Sequence, residues 1–254
     1  MKVRILGCSG GIGGRNRTTS MLVDDDMLID AGTGVGDLSL AELTQIDHVF
    51  ITHSHLDHIA CLPFMVDTVG EMRDKPLTVY AQQATVEILR NHIFNWAVWP
   101  DFTEIPSPEH PYLRFETIRI GQEMKLGRRA ITALPANHTV PAVGYHLDSG
   151  DASLVFTGDT TVCSGLWTEV NKIVNLRYLI IETAFSNREK KLAVMSKHLC
   201  PSMLAEQLTH LERDAELFIT HLKPGQSELT MQEVEECAGE FKPRMLQSNH
   251  VFEF

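Results

Sequence analysis

A six-residue segment of the sequence concentrates groups that can bind metal ions. It reads His53-Ser54-His55-Leu56-Asp57-His58 and follows the apolar run Val49-Phe50-Ile51. Residues two apart in an extended chain point to the same side, so His53 and His55 can converge on one ion. If the chain then turns into a helix near Ile59, Asp57 and His58 can reach a neighbouring ion. Imidazole and carboxylate ligands together suit zinc, and also manganese or iron.

A histidine that stands alone is more often a hydrogen-bonded core or surface residue than a metal ligand. Three histidines and one aspartate within six residues are much harder to explain in that way. Packing all four inside the protein would bury several polar groups that need partners. The sequence therefore predicts a metal site at this segment.

Three further candidate ligands follow apolar runs, at points where strands are expected to end. They are His138, Asp159 and His221. Polar residues just past the carboxyl ends of strands are well placed to share a cleft. Asp159 has two carboxylate oxygens and could bridge two ions, and Gly158 would let the backbone come close. We predict two sites that share Asp159, the first with His53, His55 and His138, and the second with Asp57, His58 and His221.

The remaining histidines divide into two groups. Six of them have no such context and are interpreted as ordinary polar residues: His48, His92, His110, His146, His210 and His250. His198 is different, because it lies just before the helix expected from Pro201. A histidine there could reach into the cleft as a general acid, although local sequence is equally compatible with a structural role.

Short strands and a few helices must position these residues. Hydrophobic periodicity predicts strands at Val3–Leu6, Ser20–Val23, Met27–Ile29, His48–Thr52, Ala130–Leu134, Ser153–Phe156, Arg177–Ile181 and Leu217–Thr220, with a hairpin turn at Asp24-Asp25-Asp26. It predicts helices at Ala84–Trp96, Pro201–Glu212 and near Thr230–Ala238. Because strands crowd the first half while helices occur in both halves, we expect α/β layers with two sheets.

Length and charge limit the class of protein. The 254 residues suit one large α/β domain, and we expect a single hydrolase domain over residues 1–254. The formal net charge of −11 argues against long RNA or DNA as the main partner. A small phosphate substrate is not excluded, because bound cations can reverse the local field.

Cysteine usage and hydropathy predict a compartment. The five cysteines are widely spaced and form no CxxC pair, which fits reduced thiols. The chain enters a strand pattern directly and has no run of 18 apolar residues. We therefore expect a cytoplasmic protein without a membrane partner.

The predicted ligands resemble those of the metallo-β-lactamase superfamily. Its HxHxDH motif is matched without departure at His53–His58, and the order of His138, Asp159 and His221 also matches. Within that superfamily the chain is similar to the class II cyclic-nucleotide phosphodiesterases. The segments that carry this similarity are Leu6–Gly11, Leu28–Gly34, Thr52–Ala60 and His92–Phe102. The resemblance implies an αββα four-layer sandwich with the metals at one edge of the sheets.

The resemblance also implies a reaction, the hydrolysis of cyclic AMP or cyclic GMP to the 5′-monophosphate. Two divalent cations, zinc before manganese or iron, would lower the pKa of water towards about 7 and bind the phosphate oxygens. Asp57 would hold the nucleophile or ligate the second ion. In the related RNase Z group, a histidine in the position of His198 assists phosphodiester cleavage. We therefore predict Asp57 and His198 as catalytic residues and a small cyclic nucleotide as substrate. A homodimer is possible.

Two other activities of the same fold stay open. An RNase Z-like tRNA-processing endonuclease would carry a protruding basic arm, but the chain has no Gly/Pro/Lys-rich insertion and its charge has the opposite sign. A lactonase or thioesterase cannot be distinguished by the metal ligands alone. A β-lactamase is disfavoured because no export signal is present.

Two rivals from other classes fit less well. A non-catalytic member of the fold would be expected to lose ligands, whereas this chain keeps the whole set. A short-chain dehydrogenase is suggested by Gly7–Gly13, which matches its GxxxGxG loop. The following segment reads as hairpin strands instead of a helix, and no Tyr-x-x-x-Lys pair exists. We therefore reject the dehydrogenase.

Overall fold

Sixteen strands and eight α-helices make up the fold, in a computed structural model that describes residues 1–254. The strands are β1 (Lys2–Gly7), β2 (Ser20–Val23), β3 (Met27–Ile29), β4 (His48–Phe50), β5 (Leu77–Ala81), β6 (Pro106–Ser107), β7 (His110–Pro111), β8 (Leu113–Thr117), β9 (Glu123–Leu126), β10 (Arg129–Pro135), β11 (Val143–Asp148), β12 (Ser153–Phe156), β13 (Leu176–Glu182), β14 (Glu216–Thr220), β15 (Arg244–Met245) and β16 (Val251–Glu253). The helices are α1 (Leu40–Gln45), α2 (Leu56–Ile59), α3 (Leu62–Val69), α4 (Gln83–His92), α5 (Ser164–Val170), α6 (Lys190–Ser196), α7 (Pro201–Leu208) and α8 (Ser227–Ala238). None of these helices has the length and hydrophobicity to cross a lipid bilayer.

Fourteen of the strands form two sheets of seven strands each. The first sheet has the order β16-β1-β2-β3-β4-β5-β8, and the second has the order β15-β14-β13-β12-β11-β10-β9. Strands β3, β4, β5 and β8 are mutually parallel, and so are β12 to β15. Parallel neighbours need crossover connections, and the helices supply them. Strands β6 and β7 pair separately as a short hairpin.

Three apolar clusters define four layers. One cluster lies between the two sheets, where the ring of Phe50 from the first sheet meets the edge of Tyr145 from the second at 5.6 Å. The second cluster packs the outer face of the first sheet against helices that include Leu62 of α3. The third packs the second sheet against α5 and α7, with Leu204 fully buried. The order helix, sheet, sheet, helix confirms the predicted αββα sandwich.

Three strands of the second sheet have their carboxyl ends at the same edge of that sheet. Strand β10 is antiparallel to β11, which is antiparallel to β12, while β12, β13 and β14 are parallel. Strands β10, β12 and β14 therefore run in one direction. The segments that follow them carry His138, Asp159 and His221, and this edge is where ligands bind in many α/β proteins.

The predicted strands are confirmed closely. Ser20–Val23, Met27–Ile29 and Ser153–Phe156 have the predicted bounds, and the other five end within two residues of the prediction. The turn between β2 and β3 lies at the three aspartates as expected, with a left-handed backbone at Asp24 (φ 48°). The three strands with the predicted bounds are buried along their whole length, so each appears in the sequence as an apolar run bounded by polar residues or turns.

The predicted helix Ala84–Trp96 is wrong at its end. Helix α4 stops at His92, and Trp96 has a left-handed backbone with φ 65°. The side chain of Asn95 explains the stop, because its Oδ1 accepts hydrogen bonds from the amides of Ala97 and Val98 at 3.0 and 2.8 Å. Such an asparagine turn competes with helix continuation.

The predicted helix Pro201–Glu212 also ends too late. Helix α7 starts at Pro201 as expected but stops at Leu208. Asn171, which follows α5, accepts a hydrogen bond from the amide of Glu212 at 3.0 Å and donates one to the carbonyl of His210 at 2.9 Å. This contact between distant segments fixes the chain in a non-helical path. The last helix begins at Ser227, three residues before the predicted start at Thr230.

Candidate metal centre

The HxHxDH segment leaves the first sheet after β4 and enters α2. This helix begins at Leu56, with His55 at its N-cap, so the turn into a helix comes earlier than the predicted position near Ile59. His58 consequently lies within α2. Its carbonyl accepts the amide of Ala31 at 2.7 Å, which fixes the short helix against the segment that follows β3.

The seven predicted ligands form two groups that share one carboxylate. The first group is His53, His55, His138 and Asp159, and the second is Asp57, His58, His221 and Asp159. Within each group the potential ligand atoms lie within 4.8 Å of one another. Asp159 Oδ2 is 3.7 Å from His53 Nε2 and 3.3 Å from His58 Nε2, and Asp159 Oδ1 is 3.2 Å from His221 Nδ1. The structure thus brings together the set expected from the sequence, with Asp159 facing both groups.

Three buried imidazole nitrogens at this centre have no hydrogen-bond partner in the chain. They are His53 Nε2, His58 Nε2 and His221 Nδ1, and each lies close to Asp159. An unsatisfied buried polar atom costs about 1–3 kcal/mol, so three at one place indicate a missing partner. Divalent cations fit this role, because imidazole nitrogens and carboxylate oxygens are their usual ligands.

In three of the candidate histidine ligands, the Nδ1 atom already has a hydrogen-bond partner in the chain. The pairs are His53 Nδ1 with the hydroxyl of Thr52 at 3.0 Å, His58 Nδ1 with the carboxylate of Asp30 at 2.7 Å, and His138 Nδ1 with the carbonyl of Lys197 at 3.0 Å. Metal-binding histidines usually donate their other N–H group to such partners. This pattern fixes the ring orientations and leaves Nε2 of His53 and of His58 without a partner, while Nε2 of His138 lies 3.1 Å from Nδ1 of the fellow candidate ligand His55.

Burial and mutual contacts set the charges of the centre. Burial lowers the pKa of His138 to about 4 and that of His221 to about 3, so both imidazoles are neutral at pH 7. Burial opposes ionisation of Asp159, but His221 and His58 hold the pKa of that carboxyl well below its usual range. Burial also lowers the pKa of His58, yet Asp159 and Asp30 outweigh it and raise that pKa well above the usual value. A ligating imidazole must be deprotonated, so cation binding at His58 releases a proton.

Close backbone packing completes the centre. Gly158 has φ 61°, and a Cβ atom there would lie 2.7 Å from the carbonyl oxygen of Val143, so only glycine fits, in line with its predicted close approach. His221 itself has a left-handed backbone with φ 63°. A Cβ atom on Gly10 would lie 2.5 Å from the carbonyl oxygen of His221. The glycine-rich loop after β1 is therefore a tight turn that packs against a predicted ligand.

His198 lies beside both groups without belonging to either. Its ring centroid is 4.9 Å from that of His138 and 5.1 Å from that of His221. Lys197, directly before it, ends α6 in a left-handed conformation (φ 54°), which turns the chain towards the centre. The side chain is buried except for a small part of its surface. This position is compatible with the predicted general acid.

Glu182, the last residue of β13, holds His198 and was not predicted. Its Oε1 is 2.7 Å from His198 Nδ1 and also accepts the amide of Thr160 at 3.1 Å. Its Oε2 accepts the amides of Ala184 and Leu199 at 3.1 and 3.3 Å. The carboxylate is fully buried, so these four contacts fix its place. His198 Nδ1 must carry the proton that it donates to Glu182, and its Nε2 faces away from Glu182.

A signal for the missed residues is present in the sequence. Glu182 directly follows the apolar run Leu179-Ile180-Ile181, and Asp30 follows Leu28-Ile29. The rule that located Asp159 and His221, a polar residue past an apolar run, would have found both. Neither residue is a candidate metal ligand. Asp30 orients the candidate ligand His58, and Glu182 orients the predicted general acid His198.

Replacing Glu182 with glutamine is expected to lower kcat by about 10- to 100-fold while both metal ions remain. Burial lowers the pKa of His198, but the Glu182 carboxylate raises it above the usual histidine value. Glutamine removes that charge, so the acid form of His198 is lost at a lower pH. The pH dependence of kcat, measured with the metal content, tests this role. A pH profile identical to that of the unmodified protein would leave Glu182 with a structural role alone.

The six histidines interpreted as ordinary lie outside both groups. His48 belongs to a third cluster with Asp26 and Asp47. The carboxylates of that cluster are already paired, Asp26 with Arg129 at 2.5 Å and Asp47 with Arg73 at 2.6 Å. It is therefore a salt-bridge network near the surface, and not a second metal centre.

Comparisons with known proteins agree with this geometry. Residues 26–222 match the "Beta-lactamase superfamily domain". An alignment of 274 residues with the "Probable 3′,5′-cyclic-nucleotide phosphodiesterase" of Yersinia pestis shows 26% identity and covers 88% of this chain and 78% of that protein. An alignment of 155 residues with the Ribonuclease Z of Clostridium beijerinckii shows 30% identity but covers 56% of this chain and 47% of that protein. The crystal structure of unliganded yeast PDE1 superposes with a TM-score of 0.82 at 19% identity and covers 100% of this chain and 99% of that one.

Proposed function

The chain belongs to the beta-lactamase superfamily, and from this premise we propose that it is a two-metal phosphodiesterase that hydrolyses a 3′,5′-cyclic nucleotide to the 5′-monophosphate. The observation that carries the proposal is the buried Asp159 carboxylate, which faces two groups of imidazoles with unpaired nitrogens. Paired metal sites of this kind stabilise the attacking and leaving oxygens of an in-line displacement at phosphorus. The reaction also needs a proton for the leaving group, and His198, which lies beside both groups, can donate it.

The proposed ions are zinc, with manganese or iron compatible with the same ligands. When bound, they would lower the pKa of water and offset the charge of a phosphate. Asp57 lies on the open side of the centre, with 28% of its side chain exposed against 3% for Asp159. Its Oδ2 is 3.7 Å from His221 Nε2. We therefore assign Asp57 to the second group or to holding the attacking water, while Asp159 is shared.

His198 carries the proton step in the proposal. As water adds to phosphorus, it loses one proton to the solvent, and as the bond from phosphorus to the 3′-oxygen breaks, His198 donates the proton on Nε2 to that oxygen. His198 then regains a proton from the solvent. Glu182 accepts the N–H group at Nδ1 throughout, and so keeps the ring oriented. The 5′-oxygen stays bonded to phosphorus, and the product is the 5′-monophosphate.

A small substrate is supported by charge and by the extent of the similarities. The net charge of −11 disfavours a long polyanion. The similarity to the Yersinia pestis phosphodiesterase runs over 88% of the chain, whereas the similarity to the Clostridium beijerinckii ribonuclease Z runs over 56%. We therefore propose a small-molecule cyclic nucleotide as the substrate, with no long nucleic-acid partner.

A substrate screen of the metal-loaded protein tests this proposal. We expect kcat/KM for cyclic AMP or cyclic GMP to exceed that for a precursor tRNA by at least about 100-fold. The 3′-ester bond should break, so chromatography should detect the 5′-monophosphate and no 3′-monophosphate. Bis(p-nitrophenyl) phosphate serves as a positive control for phosphodiesterase chemistry. Efficient processing of precursor tRNA without cyclic-nucleotide turnover would move the assignment to an RNase Z, and turnover of a lactone or thioester alone would overturn it.

A further inference from the structure

A cavity of about 500 Å³ lies between the end of β1 and the C-terminal segment 245–249. Segment Cys8–Arg17, which contains the glycine-rich loop, forms much of one wall, and the 3₁₀ turn at Asp37 and Leu38 forms another. None of the seven candidate metal ligands lines it. Its volume falls within the range of about 300–1,000 Å³ that is usual for small-molecule sites.

The cavity has one unpaired cation on a protein that is strongly negative. Its lining contains three arginines, of which Arg4 is paired with Glu42 and Arg17 with Asp37, so Arg15 alone has no carboxylate partner. The whole chain carries a net charge of −11. An unpaired guanidinium group at the cavity of such a chain favours an anionic occupant.

The three arginines are not equivalent. Arg17 is engaged, since its Nε and one terminal nitrogen bind the two oxygens of Asp37 at 2.9 and 3.2 Å. Its other terminal nitrogen donates to the carbonyls of Gly14 and Asn16, both at 3.3 Å, so Arg17 fixes the shape of the loop. Arg15 has no hydrogen bond or ion pair with the rest of the chain. Its five donors are therefore available at the rim of the cavity.

The rest of the lining offers both polar and apolar contacts. Gln247, Ser248 and Asn249 bring side-chain amides and a hydroxyl, while Leu38 and Leu246 provide apolar surface. Guanidinium groups bind phosphate in a two-pronged geometry, and amides can bind the edge of a base or a sugar hydroxyl. An organic phosphate satisfies all three kinds of group at once.

We propose that this cavity is a second ligand site, separate from the metal centre, which binds an organic phosphate of mononucleotide size through Arg15. The inference does not depend on which ester the metal centre hydrolyses. The two sites share a wall, because the carbonyl of Cys8 accepts the amide of His221 at 2.8 Å and the amide of Gly10 donates to the carbonyl of Leu222 at 3.0 Å. An occupant of the cavity therefore contacts the segment that supports His221.

A titration of the zinc-loaded chain with 5′-AMP, followed by ¹H–¹⁵N NMR, tests the proposal. The signals to follow are the Arg15 side-chain N–H and the backbone amides of residues 247–249, because they report on the cavity alone. We expect these signals to shift along one saturating curve. Arg15→Gln should raise the Kd from the residue 247–249 signals about tenfold or more, since it removes a charged contact. The matched control is Arg128→Gln, because Arg128 is exposed, unpaired and outside the cavity, and it should leave the Kd unchanged.

Uncharged and inorganic probes complete the test. Adenosine lacks the phosphate and should leave the four reporter signals unshifted, and inorganic phosphate should bind at least about tenfold more weakly than 5′-AMP. Shifts confined to residues next to the metal ligands would overturn the second site. An unchanged Kd in Arg15→Gln would also overturn it; this variant should fold normally because the Arg15 side chain is exposed and makes no hydrogen bond or ion pair. Equal binding of adenosine, or of inorganic phosphate, would overturn the class of ligand.

Discussion

Replacing Asp159 with alanine is expected to remove both metal ions and turnover together. The unmodified protein should contain about two transition-metal ions per chain, because the seven candidate ligands form two groups. Asp159 is the residue that both groups share, and its carboxylate lies within 3.7 Å of three imidazoles. The loss in kcat should therefore exceed the 10- to 100-fold that is roughly typical of residues outside the ligand set. Elemental analysis and the rate with bis(p-nitrophenyl) phosphate check the two effects on one preparation.

A terminal ligand provides the matched control for Asp159. His138 belongs to one group alone, so His138→Ala should lower the occupancy of the first group and spare the second. Chelation of the unmodified protein should abolish activity, and zinc or manganese should restore it. An Asp159→Ala protein that keeps two ions and a near-normal rate would show that this carboxylate does not join the sites. One ion per chain in fully active unmodified protein would contradict the two-metal arrangement.

Replacing His198 with alanine is expected to lower kcat by about 10²–10⁴-fold with a smaller effect on KM. Neither metal group contains His198, so both ions and the fold should remain. The loss follows from removal of the proton donor for the leaving 3′-oxygen. A p-nitrophenyl ester has a good leaving group and needs little protonation, so its hydrolysis should slow much less. The ratio of the two losses is the measurement that separates chemistry from structure.

The pH dependence gives a second measure of His198. Because the acid form is required, kcat should fall as the pH rises through the pKa of His198. That descending limb should be absent in the His198→Ala variant. Equal losses on the cyclic nucleotide and the p-nitrophenyl ester, or the loss of an ion from the variant, would instead make His198 a structural or ligand residue.

The candidate ligands were predictable because each lies next to a short-range pattern. His53, His55, Asp57 and His58 fall in one continuous segment, where period-two geometry and a following helix determine their directions. His138, Asp159 and His221 each follow a strand that contains buried apolar residues, and such strands are visible as apolar runs. Parallel strand directions then place their ends at one edge. Local sequence and a few rules of topology were enough to assemble the centre.

The supporting residues depend on contacts that no local pattern encodes. The bond from His58 to Asp30 spans 28 residues, and that from His198 to Glu182 spans 16. The carbonyl of Lys197 lies 59 residues from His138, which it orients. The end of α7 is likewise determined by Asn171, from the end of α5, and was therefore placed too late from periodicity. The local sequence around an acidic residue that follows a strand is the same whether its carboxylate binds a histidine or faces solvent. The partner of such a residue therefore cannot be predicted from local sequence.

Each sheet contributes its own share of the centre, and this division has a consequence for the lifetime of the protein. His53, His55, Asp57 and His58 follow β4 of the first sheet, whereas His138, Asp159 and His221 follow strands of the second. Ions bound by ligands from both sheets would connect the two sheets of the sandwich, as a cross-link would. A ligand that binds the folded state alone adds about 4 kcal/mol to the free energy of unfolding when its concentration is 1,000 times its Kd. Resistance to heat and to proteases would then follow the supply of free metal, and a metal-starved cell would lose the protein as well as its activity.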